Sequence, residues 1–199
     1  MSTSHYFSRK PSSPRRRASI SDVIRGIPVE LVTEPGVFSS RKIDPGTRLL
    51  IESIDIPEEG KVLDMGCGYG VIGIIIAKLN PRLKVYLVDI NPRAVKLAKL
   101  NAKLNKVQDR VIVLHGNLYE PLGNVKFNLI VSNPPISAGQ QIVEELVKKA
   151  RSYLVQEGAI EIVLRKGVDN ILKAMKETYG NVEIIARKSG YKVLKSIKY

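Results

Sequence analysis

The chain has no tryptophan, one cysteine and two histidines in 199 residues, and aromatic residues make up only 6% of it. The single cysteine, Cys67, excludes an internal disulfide, and with His5 and His115 it leaves few soft ligands, so no metal is expected. Long apolar runs are missing as well. The longest, residues 71–77, falls far short of the ~20 residues that span a bilayer. The N-terminus lacks the apolar core of a secretory signal. The expectation is a soluble, cytoplasmic protein without a membrane partner, with a monomer as the default.

Acid is missing at both ends. Residues 1–21 carry Arg9, Lys10, Arg15, Arg16 and Arg17, and residues 187–199 carry Arg187, Lys188, Lys192, Lys195 and Lys198, with no Asp or Glu in either stretch. These ends hold ten of the thirteen excess positive charges, which leaves three on residues 22–186. Basic ends on a near-neutral body suit a polyanion, nucleic acid above all. A solubilising tail is the bland alternative.

What is present suffices for one domain, because 44% hydrophobic residues can bury a sizeable core. Residues 1–21, rich in Ser, Pro and Arg, read as a flexible basic segment. Residues 22–199 read as one domain, with a strand-and-helix cap over 22–58 and a catalytic core over 59–199. In the cap, residues 28–33 alternate like a strand, and Glu34-Pro35-Gly36 turns it. Asp44-Pro45 is an N-cap followed by proline at the first helical position, opening a helix to about Ile54.

From Lys61 strands and helices alternate. Strands are expected at Val62-Leu63-Asp64, 85–89, 111–114, 127–132 and 159–164, and a closing hairpin pairs 182–186 with 191–197 across Lys188-Ser189-Gly190. Asn91-Pro92 caps a helix that turns Ala94, Leu97, Ala98 and Leu104 inward and Lys96, Lys99 and Lys103 outward. Ser137 and Asp169 are read as caps of two later helices, and Gly180 closes the second. The alternation predicts an α/β fold with a doubly wound, mainly parallel seven-stranded sheet and a C-terminal antiparallel hairpin.

In such sheets ligands bind at the carboxyl ends of the strands. Two loops fall there. In Asp64-Met65-Gly66-Cys67-Gly68-Tyr69-Gly70 the glycines permit positive φ and close backbone approach. The helix that follows offers free N–H groups to an anionic group. Asp89 ends the next strand, placed to accept hydrogen bonds from both hydroxyls of a ribose. Asp64 can receive an ammonium or orient the loop, and Asn117 can touch an adenine amine. The second loop is Asn133-Pro134-Pro135-Ile136, after an apolar strand. Two prolines remove two backbone donors, so nearby carbonyls stand out as acceptors beside the Asn amide oxygen. That arrangement suits a planar amine that donates two hydrogen bonds while its nitrogen attacks.

Gly68-x-Gly70-x-x-Gly73, with Asp89 nearly twenty residues on, also matches the dinucleotide fingerprint of a nicotinamide-dependent reductase. Against that reading, Asp64 and Gly66 precede the match, no hydride-transfer acid follows, and Asn133-Pro134-Pro135 goes unexplained. Cys67 has no base beside it and reads as a small residue rather than a nucleophile. His115 reads as a strand-end residue rather than a catalytic base.

Asp64-x-Gly66-x-Gly68-x-Gly70, Asp89 and Asn133-Pro134-Pro135 resemble the cofactor loop, ribose acid and amine site of class I S-adenosylmethionine-dependent amino-methyltransferases. Pro35-Gly36-Val37-Phe38-Ser39, Asp44-x-Gly46-Thr47-x-Leu49-Leu50 and Gly190-Tyr191-Lys192-Val193-Leu194 resemble, more narrowly, the small methyltransferase domain family. That family includes bacterial guanine-N2 methyltransferases of small-subunit ribosomal RNA. His5-Tyr6-Phe7-Ser8 and Asn133-Pro134-Pro135-Ile136 look like its compact archaeal branch. The resemblance implies S-adenosylmethionine as cofactor, held by Phe38, Asp64, Gly66, Cys67, Gly68, Gly70, Asp89, Ile90, Asn117 and Asn133. It implies Asn133, Pro134, Pro135 and Ile136 around the reacting amine, and ribosomal RNA of the small subunit, or an assembling subunit, as partner. Base-modifying relatives often carry an aromatic residue where this chain has Ile136. An aliphatic side chain gives up much of a stacking term worth ~1–3 kcal/mol; either Phe38 or Tyr6 supplies the stacking or the target is held differently. Protein glutamine methylation satisfies the same acceptors and stays open, as does a non-catalytic RNA-binding role for the fold.

Overall fold

The computed structural model of the protein describes residues 17–37, 42–135 and 139–199. The chain begins with strand β1 (Ala18–Ile24), which pairs antiparallel with β2 (Ile27–Thr33). Between them Arg25 and Gly26 both take positive φ, 51° and 76°, as a two-residue turn matched to strand twist requires. β1 starts inside the stretch expected to be flexible. Its alternating Ile20 and Ile24 are buried, a signal that the neighbouring serines and charges obscure.

Helix α1 (Pro45–Ser53) opens as the sequence implies: Asp44 accepts from Thr47 N at 3.0 Å and Pro45 takes the first helical position. There follow β3 (Gly60–Met65), α2 (Val71–Leu79), β4 (Leu83–Asp89), α3 (Pro92–Leu104), β5 (Val111–His115) and β6 (Phe127–Ser132). The chain closes with α4 (Gln140–Tyr153), β7 (Leu154–Leu164), α5 (Val168–Tyr179), β8 (Glu183–Lys188) and β9 (Tyr191–Ile197). The main sheet has seven strands in the order β5-β4-β3-β6-β7-β9-β8. Its first five strands are parallel to one another, and β9 runs antiparallel to β7 and β8. Strand order reverses between β3 and β6, so the carboxyl ends of those two strands flank the crevice where α/β sheets bind ligands.

Parallel strands covered on both faces alternate between two cores. Val62, Leu129, Val163 and Val193 join the core under α1, α2 and α3, while Leu63, Ile130, Ile162 and Leu194 join the core under α4 and α5. Residues 71–77 of α2 are all buried, which explains an apolar run with no polar face. The β1–β2 hairpin is tied down by amides of α3. Asn101 exchanges hydrogen bonds with Val32 N at 2.7 Å and Val32 O at 2.9 Å, and donates also to Tyr69 O at 2.9 Å. Asn105 pairs Glu30 in the same way. The two side chains mimic a neighbouring strand and satisfy backbone groups that would otherwise be orphaned.

Three local expectations need correction. Leu104 is 44% exposed rather than inward, at the edge of the buried face made by Ala94, Leu97, Ala98 and Asn101. Gly167, not Asp169, is the N-cap of α5, and Asp169 sits inside the first turn, where its charge favours the helix dipole. Gly139 is the N-cap of α4, and Ser137, expected there, lies outside the described residues. No helix among the described residues is long and apolar enough to cross a membrane.

Candidate active site

The glycine loop leaves β3 and enters α2 with Gly66, Gly68 and Gly70 at φ of 71°, 58° and 92°. Gly70 closes against the core: a Cβ there would lie 3.0 Å from Leu87 and 3.2 Å from Ala98. At Gly66 a Cβ would meet nothing within 4 Å. The two glycines therefore differ in kind: one is demanded by packing, whereas the other keeps an open cradle in front of the backbone. The loop is held to β4 by Gly66 N and Cys67 N, which donate to Val88 O at 2.8 and 3.0 Å.

Two buried carboxylates organise the loop. Asp64 Oδ2 accepts from Gly73 N at 3.0 Å in the first turn of α2, so Asp64 orients the loop–helix junction. Its Oδ1 has no hydrogen-bond partner among the described residues. Full burial, with Asp89 nearby, pushes the Asp64 carboxyl up to about 7, against the Gly73 hydrogen bond that favours the charged form. Asp89 ends β4; its Oδ2 accepts from Gly68 N and its Oδ1 from Asn91 N, both at 2.8 Å.

Beyond Asp89 opens a cavity of about 200 Å³ walled by Gly66, Val88, Ile90, Leu118, Pro135 and Leu146, with Asp89 and Asn117 at its edge. A mostly apolar slot with a few polar groups suits a flat heterocycle joined to a ribose. His115 Nε2 lies 3.0 Å from Ile90 O, a contact proper to a strand-end residue. Cys67 is buried and burial pushes its thiol well up, with Asp89 and Asp64 adding to the shift, which disfavours a thiolate nucleophile.

Asn133 follows β6. Its Nδ2 donates to Asp44 Oδ2 at 2.9 Å and to Thr47 Oγ1 at 2.7 Å. A carboxylate only accepts, so the amide nitrogen must point at Asp44, and the Asn133 oxygen is left as an acceptor. Asp44 thus caps α1, clamps Asn133 and accepts from Tyr191 Oη at 3.3 Å with its other oxygen. Gly46 makes room for this: a Cβ there would stand 2.5 Å from the Tyr191 ring. The Arg165 guanidinium lies over the same ring, 5.5 Å from its centroid. Burial, reinforced by Asp44, pushes the Tyr191 phenol upward, so it stays a donor. Neither Asp44 as a clamp nor Arg165 was found from the sequence, where Asp44 reads as a cap and, with Tyr191, as part of motifs that resemble the family. The spacing Asp44-x-Gly46-Thr47 was the signal available.

Asn133, Pro134 and Pro135 wall a second cavity of about 270 Å³, together with Asp44, Arg165 and Tyr191. Pro135 belongs to both cavities, so the two spaces meet at the Asn-Pro-Pro step. Of the residues read from the sequence as cofactor-binding, Gly66, Asp89, Ile90 and Asn117 line the smaller cavity, Asp64, Cys67, Gly68 and Gly70 belong to the loop beside it, and Asn133 lines the other cavity with Pro134. Phe38 and Ile136 lie outside the described residues.

The doubly wound, seven-stranded sheet with its C-terminal antiparallel strands is the fold of the class I methyltransferases. The chain belongs to the methyltransferase small domain family, whose signature matches residues 28–195, and is an S-adenosylmethionine-dependent methyltransferase. It is 34% identical over 198 residues to the uncharacterized protein YbxB of Bacillus subtilis strain 168, covering 98% of each chain. It is 36% identical to the ribosomal RNA small subunit methyltransferase C of Serratia proteamaculans strain 568, over 83% of this chain and 48% of that one. Among solved structures it resembles the T. thermophilus 16S rRNA N2 methyltransferase in complex with AdoMet and guanosine, at a TM-score of 0.84 and 26% identity, over 96% of this chain and 53% of that one. The chain spans about half the length of these ribosomal RNA methyltransferases. The compact length expected of an archaeal branch is shared with the Bacillus chain.

Proposed function

We propose that the protein methylates the exocyclic N2 amine of guanine in RNA, with ribosomal RNA of the small subunit as the substrate. One observation carries this reading. Asp44 and Thr47 consume both amide hydrogens of Asn133, so its oxygen is offered to a donor in the adjoining cavity. The names of the similar ribosomal RNA methyltransferases supply the base and the RNA.

Asp64, Gly66, Cys67, Gly68, Gly70, Asp89, Ile90 and Asn117 would hold S-adenosylmethionine, with the ribose at Asp89 and the adenine in the apolar slot. The orphaned Asp64 Oδ1 and the open face of Gly66 fit that assignment. When bound, the cofactor supplies a methyl group already activated by its sulfonium. The residues of the chain then have to position the amine. The Asn133 oxygen and the Pro134 carbonyl accept its two hydrogens, which turns the nitrogen lone pair out of conjugation and spreads the charge that develops on it. Holding the amine in one orientation contributes several kcal/mol without acid or base. Residues 59–199 form the catalytic core in this reading, and 22–58 a cap whose Asp44 and Thr47 complete the site.

The test supplies labelled methyl donor with deproteinised ribosomal RNA, intact small subunits, transfer RNA and release factor, followed by digestion to nucleosides. Label in N2-methylguanosine is expected. Label in protein alone would replace the reading with glutamine methylation, and no label would leave a binding protein.

A further inference from the structure

The cations of this protein are not equivalent once it is folded. On α4 and α5 three of them are matched to acids one turn away, Lys148 with Glu144, Lys149 with Glu145 and Lys173 with Glu177, whereas Lys96, Lys99 and Lys103 of α3 form no salt bridge among the described residues. The C-terminal basic stretch divides. Lys195 turns inward, to Asp55 and the buried Glu161, and Lys198 donates to Leu154 O at 2.8 Å. Arg187, Lys188 and Lys192 instead sit at the opposite end of the same hairpin. There Lys192 stands opposite both Leu164 and Arg187, and Lys188 stands opposite Tyr191.

This end of β7, β8 and β9 borders the cavity of the Asn-Pro-Pro step, whose wall includes Arg165, Lys166 and Tyr191. Arg165 packs 3.7 Å from the Cβ position of Gly190 in the hairpin turn. Arg165 and Lys166 wall the cavity, while Arg187 and Lys192 lie at the same strand ends on the face of Leu164, and Lys188 on the face of Tyr191, over strands spaced ~4.8 Å apart. Arg165, Lys166, Arg187 and Lys192 form no salt bridge among the described residues, and Lys188 has only Glu52 at 4.0 Å. The other acids at this end are Asp44, engaged with Asn133, Thr47 and Tyr191, and Asp169 in the first turn of α5. Crowded, unmatched like charges repel each other and lower stability, which a polyanion relieves.

We propose that the β8–β9 hairpin end and the β7–α5 loop, through Arg165, Lys166, Arg187, Lys188 and Lys192, form a phosphate-binding rim that grips the RNA backbone beside the nucleotide entering the cavity. This rests on the RNA reading above and assigns the grip to particular residues. Extruding a base costs a few kcal/mol, and phosphate contacts next to the extrusion point offset it. Arg165, over the Tyr191 ring, adds a flat cationic surface at the mouth, of the type that single-strand binders use.

The rim is tested with full-length Arg187→Gln/Lys188→Gln/Lys192→Gln protein and the charge-preserving Arg187→Lys/Lys188→Arg/Lys192→Arg control, using deproteinised small-subunit ribosomal RNA as probe. Each phosphate contact contributes ~0.7 to the slope of log affinity against log salt for single strands. Three lost contacts should flatten the slope by ~2, so a fourfold rise in salt costs the glutamine variant about 20-fold less affinity than the parent. KM for RNA should rise about tenfold with kcat and S-adenosylhomocysteine affinity unchanged, and the control should behave as the parent. An unchanged slope and KM, with RNA still methylated, would overturn the rim and leave the guanine reading standing. A flattened slope with no methyl label in RNA would keep the rim and remove the guanine reading. Parent protein that methylates only protein and binds RNA no better than a neutral polymer would remove both.

Discussion

The two halves of the site are built in different ways. The cofactor side is assembled almost entirely from adjacent loops: Asp64 to Gly73, Gly68 to Asp89, Asp89 to Asn91. Its bonds join backbone N–H groups to two carboxylates at neighbouring strand ends. The proposed target side joins residues that are far apart in the chain: Asn133 to Asp44, Asn133 to Thr47 and Tyr191 to Asp44, partners 89, 86 and 147 positions apart. Its bonds are side chain to side chain. Side-chain clamps tune one atom, the Asn133 oxygen, whereas the glycine loop shapes a surface. Damage to the first should therefore lower turnover, and damage to the second should lower cofactor affinity.

The largest effect that separates them is expected from Asn133→Ala. Loss of a preorganised acceptor typically costs 10²–10³ in kcat, so turnover should fall by at least about 100-fold while S-adenosylhomocysteine binding, followed by calorimetry, changes little. If turnover persisted, the division would collapse. Asp44→Asn is the finer instrument. It keeps the size and the capping group of the residue but lets the Asn133 amide turn over. We expect kcat to fall about tenfold, the order expected when a misoriented group misaligns the reacting atoms. Cofactor affinity should hold. Gly66→Ala should do the reverse. The φ of 71° costs about 1–3 kcal/mol for a residue with a Cβ, and the methyl group would occupy the open cradle. Cofactor affinity should drop more than tenfold with the fold retained, as read by thermal melts and calorimetry.

A smaller effect tests the region where the two halves share a core. Glu161 in β7 is fully buried, neither oxygen has a hydrogen-bond partner among the described residues, and Lys195 Nζ lies 3.7 Å away. Burial pushes its carboxyl up to about 7, despite the pull of Lys195. The folded state therefore keeps a proton that the unfolded chain releases near pH 4.5, and this group destabilises the fold progressively as pH rises from there to about 7. Glu161→Gln should stabilise the protein by about 1–3 kcal/mol at pH 8 and by much less at pH 5, as measured by urea unfolding. An equal effect at both values would mean that the carboxyl is not displaced.

Much of this was legible beforehand, for identifiable reasons. Alternation, Asp44-Pro45, Asn91-Pro92 and Gly180 are local signals, and the elements they predict are present because capping and periodicity act over a few residues. The turn at Ser189 and Gly190, with φ of 49° and 81°, was legible for the same reason. Leu104, Gly139 and Gly167 were misread or missed because a helix face and its first turn are set by what the helix lies against; Leu104 is 44% exposed. No local pattern singles out Asn101 and Asn105, whose role appears only once β2 runs beside them. The even row of C-terminal lysines concealed a division that depends on strand register and on which sheet face each side chain takes.

By itself, then, the sequence determined the fold class, the glycine cradle, the acid at the end of β4 and the acceptor step at Asn133, because each rests on contiguous residues and on backbone rules that hold in any context. Only the assembled tertiary contacts settle which way the Asn133 amide points and which glycine faces open space. The Asn133 clamp depends on pairs brought together across about 90 to 150 residues, and local propensity carries no information about such pairs until the register of the sheet is set.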